Sequence, residues 1–327
     1  MLRSLYCTQD GKVTTGLSQI DMAFALQDQT GLLWVDFEAD SNEETEPILQ
    51  KTFGFHPLAI EDALHQSHVP KLDDWGHYLY IVVHTVVYDE EHQDVDTLEL
   101  DIFIGKNYLV THHDLPIEAV NRVWVAQQRD DRILKNGADH LLYRLMDEIV
   151  TSFMPVVEKL DLSLDQIEDE IFGKSAPDTL EKLFSIKRSV LYLRRILAPQ
   201  REALNKLARD EFEAIDERDR IYFRDVYDHL VRMYDIIESV RDLVSGALDS
   251  YLSVTNNRLN DVMKTLTIIT TLFMPISFIA SFFGMNFFQP AYPLSAWTGG
   301  PAFLITMLVI VLTPVSMFLW MRRRRWM

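Results

Sequence analysis

Seven positions near the C-terminus carry side chains of a common chemical kind: Asn260, Met263, Thr267 (or Leu266), Thr270, Met274, Ser277 and Ser281. They recur every three or four residues, so a helix puts them on one face. The rest of that segment is Ile, Leu, Phe and Val. One stripe of small, hydroxyl, amide and thioether groups therefore runs along an otherwise apolar helix. Two uses fit. Small and hydroxyl residues let helices pack closely in lipid. Alternatively, several copies surround an axis, and rings of neutral oxygen alternate with apolar constrictions at Met263, Leu266 and Met274 that gate by dewetting.

The stripe ends at Gly284-Met285-Asn286. A ring of amide and backbone oxygens from Gly284 and Asn286 could hydrogen-bond the water shell of a cation without stripping it. That suits Mg²⁺, which gives up its water reluctantly. A ring of carboxylates would hold such an ion too tightly to release it.

These groups need an apolar element to carry them. The 57 residues from 265 to 321 contain no Asp, Glu, Lys, Arg or His. A bilayer core takes about 20 apolar residues per helix, so two spans fit, 265–283 and 301–321. Lys264 precedes the first and Arg322, Arg323, Arg324 and Arg325 follow the second. By the positive-inside rule both ends stay cytoplasmic, and the Gly-Met-Asn turn faces the other side. Trp320 and Trp326 bracket the tail as interfacial anchors.

Residues 1–264 hold 27 Lys and Arg against all 49 Asp and Glu, a formal charge of −22. An acidic part of this size argues against nucleic-acid binding, which needs a basic footprint, and suits a cationic partner. No secretory leader pattern opens the chain, and the single Cys7 fits a reducing cytosol.

The first 135 residues mix strands and helices. Leu32-Leu33-Trp34-Val35 reads as a buried strand. Ser41 with Glu44 forms a capping box for a helix ending at Gly54. Segments 77–88 and 98–104, then the turn Gly105-Lys106-Asn107 and Tyr108-Leu109-Val110-Thr111, read as a small, largely antiparallel sheet. Pro116 starts another helix. From Asp139 the chain is helical. Helices are expected over 139–172, over 177–210 with a kink at Pro199, and from 219 onward without a breaker until Pro275.

In that last helix Val226, Leu230, Met233, Ile237, Val240, Val244, Ala247, Tyr251 and Val254 alternate steps of four and three. This is a heptad seam. A seam of this kind holds a stalk together, and around an axis it sets symmetry.

Histidines are the natural ligands for a transition metal. His65 and His68 share a helical face but Pro70 follows at once. His56, and the pair His112-His113 with Asp114, show no third ligand. They read as satisfied or exposed. For catalysis there is no Gly-rich phosphate loop, nucleophile elbow or metalloprotease helix, so an enzyme is not expected.

Several blocks now fall in order: His56-Pro57-Leu58 with Glu61-Asp62 and Pro70-Lys71; Tyr222-Phe223-Arg224-Asp225-Val226-Tyr227-Asp228-His229; and 260–269 with Met274-Pro275. With Gly-Met-Asn closing the first of two terminal spans, the whole chain resembles the CorA family of divalent-cation channels.

The resemblance implies an α+β cytoplasmic domain, then a long helical stalk and two C-terminal transmembrane helices, assembled as a homopentameric funnel. The corresponding boundaries are 1–135, 136–264, 265–286 with the motif, an external loop 287–300, 301–321 and a basic tail 322–327. The resemblance implies an inner-membrane, multi-pass protein that passes Mg²⁺, and next Co²⁺ or Ni²⁺, with no organic cofactor. Gly284, Met285 and Asn286 would form the filter. Asn260, Met263, Leu266, Thr270 and Met274 would be the gate, and Lys264 with Arg322 to Arg325 a basic collar. Intracellular Mg²⁺ bound between subunits would hold the channel closed through Asp225 and, on the N-terminal hairpin, Asp89.

One departure stands out. CorA-like loops usually carry an acid after the motif, and Phe287-Phe288-Gln289-Pro290-Ala291-Tyr292-Pro293 has none. The loop also lacks the Gly-Gly-Ile-Pro continuation of the related zinc transporters called ZntB. A proton-coupled Zn²⁺ carrier and a non-transporting scaffold or sensor are the alternatives.

Overall fold

A computed structural model describes residues 1–65, 69–89, 94–129, 134, 136–173, 178–285 and 300–324. The chain divides into two compact units, Met1–Leu248 and Asp249–Met327.

The first unit is built on a seven-stranded sheet. The strands are β1 (Leu2–Cys7), β2 (Val13–Thr15), β3 (Leu32–Glu38), β4 (Lys71–Asp74), β5 (Leu79–Asp89), β6 (Asp94–Ile104) and β7 (Tyr108–His113). Their order is β2-β1-β3-β7-β6-β5-β4. Every neighbouring pair is antiparallel except β3 and β7, which are parallel. Strand β3 is buried along almost its whole length, as a strand covered on both faces must be.

On one face lie α1 (Gln19–Gln27), α2 (Asn42–Ile48) and α3 (Pro57–His65). They close a core of Leu33, Val35, Phe37, Tyr80, Phe103 and Val110 with Met22, Phe55 and Ile60. Phe55 stacks on Phe103 at 4.3 Å between centroids. The capping box expected at Ser41 is absent: Ser41 makes no side-chain cap bond. The box forms instead at Ser18, which accepts from the Asp21 amide while Asp21 accepts from the Ser18 amide. Helix α2 continues as a π turn over Leu49–Phe53 and stops at Gly54, where φ is +73°. Glycine takes that left-handed cap without strain.

On the other face lie α4 (Glu118–Arg129) and α5 (Ala138–Phe172), while α6 (Thr179–Arg209) meets the sheet through Gln200, which accepts from the His84 amide, and through Tyr192 beside Thr97. Trp34 of β3 meets Trp124 of α4 at 4.6 Å. Helix α6 runs through Pro199 without interruption.

Helix α7 spans Arg220–Gly284. Its seam is buried at Phe223, Val226, Leu230, Met233, Ile237, Val240, Val244 and Ala247, each at most 4% exposed. Arg194 of α6 pairs with Glu238, Arg201 of α6 stacks on Tyr234, and Tyr143 of α5 stacks on Tyr222 at 5.0 Å. The seam therefore packs inside one chain. Its expected role in arranging copies around an axis passes to other residues, because these side chains have already left water. Burial stops at Ala247; Tyr251 and Val254 are half-exposed.

The second unit holds the rest of α7 and helix α8 (Pro301–Arg323). Each contains a window long and apolar enough to cross a bilayer, with mean hydropathy 1.8 in α7 and 2.3 in α8.

Candidate ion pathway

Within the second unit, exposure splits α7 into two faces. Ile268, Thr271, Leu272, Pro275, Ile276 and Ile279 are half-covered, whereas Asn260, Met263, Leu266, Thr267, Thr270, Met274, Ser277 and Ser281 are exposed. At 100° per residue the centres of the two sets lie about 150° apart around the helix. The stripe thus sits opposite the covered face. Helix α8 shows a matching covered line: Thr306, Ile310, Thr313, Pro314 and Met317 half-buried and Met321 fully buried. Packing inside this unit therefore does not use the polar stripe.

The hydroxyls of the stripe have a defined orientation. Thr270 donates to the Leu266 carbonyl at 2.9 Å and Thr267 to that of Met263 at 2.7 Å. A hydroxyl has one donor and two acceptor lone pairs. With the donor spent on the backbone, acceptors remain on the outer surface. The water shell of a cation presents hydrogens outward, so acceptors are what it needs.

At the end of α7, the Met285 amide bonds the Phe282 carbonyl. Gly284 and Met285 are exposed. Among the described residues, a Cβ at Gly284 would meet nothing within 4 Å. Asn286 lies outside the described residues. At the other end Lys264 is exposed, and Arg322 and Arg323 sit in the last turn of α8, where cations suit the helix dipole. Arg324 lies over the Trp320 ring. Arg325 is outside the described residues.

The two acids expected to bind a regulatory ion stand on different elements. Asp89 ends β5, opposite Asp94 in register, and Asp225 is on the first turns of α7; both are exposed. Asp225 has acidic company on α5. Burial first, and then the nearby Glu148 and Asp225 carboxylates, raise the Asp147 carboxyl above its ordinary value, against Arg144 and His229.

Two acid–histidine groups, on opposite faces of β7, were not legible as sites. His112 faces Asp101 of β6. His113 belongs to a trio with Asp36 and Glu38 of β3. Arg3 already supplies that trio with a cation, its Nε 2.6 Å from Asp36. The one hint in the sequence was Asp36 itself, a charge inside the apolar run of β3. His56 stacks on Trp75 at 4.5 Å, His65 lies at the exposed end of α3, and His68 is outside the described residues.

A folded α+β domain, a long helix and two apolar C-terminal helices with an uncovered polar stripe define a membrane protein. The chain belongs to the CorA-like Mg²⁺ transporter family, whose model matches residues 29–323. It is 32% identical over 312 residues to the cobalt/magnesium transport protein CorA of Thermotoga maritima, covering 95% of this chain and 88% of that one. In three dimensions it matches the complete CorA magnesium transporter of Methanocaldococcus jannaschii, with TM-score 0.83, 23% identity, and 99% and 98% of the two chains covered. The ZntB cytoplasmic domain of Vibrio parahaemolyticus is more distant: TM-score 0.58, 15% identity, 78% of this chain and 98% of that one. At 23% and 15% identity these structural likenesses speak for the fold. The family resemblance carried by the motifs is confirmed.

Proposed function

We propose that this chain forms a homopentameric divalent-cation channel, with α7 of each subunit lining one central pore. Mg²⁺ is the first ion, Co²⁺ and Ni²⁺ the next, and flux runs into the cytosol. The relative named above as a cobalt/magnesium transporter supports this reading. The observation that carries it is the stripe from Asn260 to Ser281 on the face of α7 opposite the covered one. In a lone anchor such a face would meet lipid. Around an axis it meets water and ions.

The roles follow from chemistry. Gly284, Met285 and Asn286 at the outer mouth hold a hydrated ion by backbone and amide oxygen. Gly284, with open space around its Cα, lets neighbouring copies approach the axis. Thr270, Ser277 and Ser281 relay the ion's water shell through their lone pairs. Met263, Leu266 and Met274 form apolar rings that expel water when narrow, and Asn260 guards the inner end. Lys264 and the tail arginines form a basic collar at the cytoplasmic membrane face. Both termini lie in the cytosol. A divalent ion entering a negative interior gains about 4.6 kcal/mol per 100 mV, so no other energy source is required.

Closure is assigned to intracellular Mg²⁺ bridging Asp225 of one subunit to Asp89 of the next. Without the ion the two carboxylates repel and the ring loosens. Flux into proteoliposomes with and without internal Mg²⁺ tests the whole reading.

The acid-free loop after the motif favours a second reading, in which the outer mouth attracts cations weakly and the protein serves as a sensor or scaffold. Proton-coupled Zn²⁺ transport is the other alternative. A pH gradient that leaves Mg²⁺ flux unchanged excludes it.

A further inference from the structure

At one edge of the first core the apolar packing gives way to a cavity of about 300 Å³ between the end of α3, strand β6 and strand β7. Its walls include Glu99, Asp101 and His112, with His65 and Asp114 at the rim. Asp101 and His112 stand opposite each other in the antiparallel β6–β7 register. Glu99 is two residues from Asp101 and so on the same face of β6. Three metal-ligating side chains are thereby placed on two adjacent strands around one space.

The groups are set as ligands are set. Tyr80 donates to Oδ1 of Asp101 at 2.6 Å, fixing the carboxylate and leaving Oδ2 directed at His112. The distance from Oδ2 to Nδ1 of His112 is 3.6 Å, too long for a hydrogen bond. His112 is only 2% exposed, and among the described residues neither ring nitrogen has a partner within hydrogen-bond distance. A buried polar group without a partner is costly. Two ligands about 2.1 Å from a tetrahedral metal ion lie about 3.4 Å apart, close to the spacing found. Glu99, on the same wall, faces His84, with 3.7 Å between Oε2 and Nε2.

We propose that Asp101, His112 and Glu99 form a binding site for a divalent transition-metal ion inside the α+β domain of each chain. The imidazole sets the class. Imidazole suits Zn²⁺, Ni²⁺ and related ions, whereas Mg²⁺ prefers oxygen and keeps its waters. The Asp36–Glu38–His113 trio on the opposite face is no competitor, because Arg3 fills it. The site is separate from the pore and does not rest on the transport reading.

The test is Co²⁺ titration of the purified, chelator-stripped full-length protein, followed by visible absorption. The wild type is expected to bind one Co²⁺ per chain with nitrogen–oxygen bands that excess Mg²⁺ does not remove. His112→Gln and Asp101→Asn are expected to lose those bands. If either fails to fold, Glu99→Gln and Tyr80→Phe carry the test, with an expected loss of tenfold or more in affinity. Binding to pore residues is common to all these proteins and cancels in the comparison. Wild-type bands and affinity in the folded variants, or displacement by Mg²⁺, overturn the proposal.

Discussion

The hydroxyl of Thr270 donates to the carbonyl of Leu266, one turn back on α7, at 2.9 Å. This bond leaves the threonine oxygen as a pure acceptor on an exposed face. Thr270→Val keeps the shape and removes the acceptor. We expect Mg²⁺ flux to fall about two- to tenfold, the worth of one hydrogen bond of about 0.5–1.5 kcal/mol. Ser277→Phe should block flux altogether by filling the axis. Ile269→Leu, on a side of the helix outside the stripe, should leave flux unchanged. Proteoliposome uptake measures all three.

The seam of α7 gives a prediction about stability. Leu230 and Ile237 are fully buried within one chain. Leu230→Ala should cost about 2–5 kcal/mol and lower the melting temperature. The number of subunits, read by native mass spectrometry, should not change. Dissociation of the oligomer at unchanged thermal stability would mean that the seam holds copies together instead.

The Asp36–His113 pair predicts a pH dependence. Nε2 of His113 lies 3.3 Å from Oδ1 of Asp36, with both side chains fully buried. Burial alone would lower the imidazole pKa, but Asp36 outweighs it and the value is raised. Burial alone would raise Asp36, but His113 and Arg3 outweigh it and the value is lowered. The histidine's contribution is thus complete below its unfolded pKa of about 6.5 and is lost as pH rises through the raised value. The carboxylate's contribution is present above about 3.9 and is lost as pH falls through the lowered value. Melting temperatures of the wild type should decline from neutral to alkaline pH, and His113→Gln should remove that decline. Asp36→Asn, which strands Arg3 and His113, should cost about 3–5 kcal/mol.

The regulatory assignment is tested by Asp225→Ala. With the bridge to Asp89 gone, internal Mg²⁺ should inhibit flux much less. Flux that stays equally Mg²⁺-inhibited would show that Asp225 does not hold the ion.

Much of this was legible because it depends on short-range periodicity. The two spans follow from 57 uncharged residues, and the stripe from steps of three and four. The order of β5, β6 and β7 follows from one tight turn at Gly105 and two alternating runs. Other features depend on pairings between segments far apart in sequence. The parallel contact of β3 with β7 brings Glu38 to His113 across more than seventy residues, and nothing in either strand announces it. The β6–β7 register likewise supplies Asp101 to His112, the partner a histidine count could not find. The heptad seam misled for a related reason. Its spacing predicts a packed face but not whether a neighbouring helix belongs to the same chain.

The central claim is that Gly284-Met285-Asn286 and the stripe behind it form a passive divalent-cation pore. The measurement is Mg²⁺, Co²⁺ and Zn²⁺ flux into proteoliposomes, with and without a pH gradient, for the wild type and Asn286→Ala. Mg²⁺ flux that ignores the gradient and vanishes in an intact Asn286→Ala oligomer is the predicted result. Normal Mg²⁺ flux in that variant, or no flux of any ion through intact wild-type oligomers, contradicts the account.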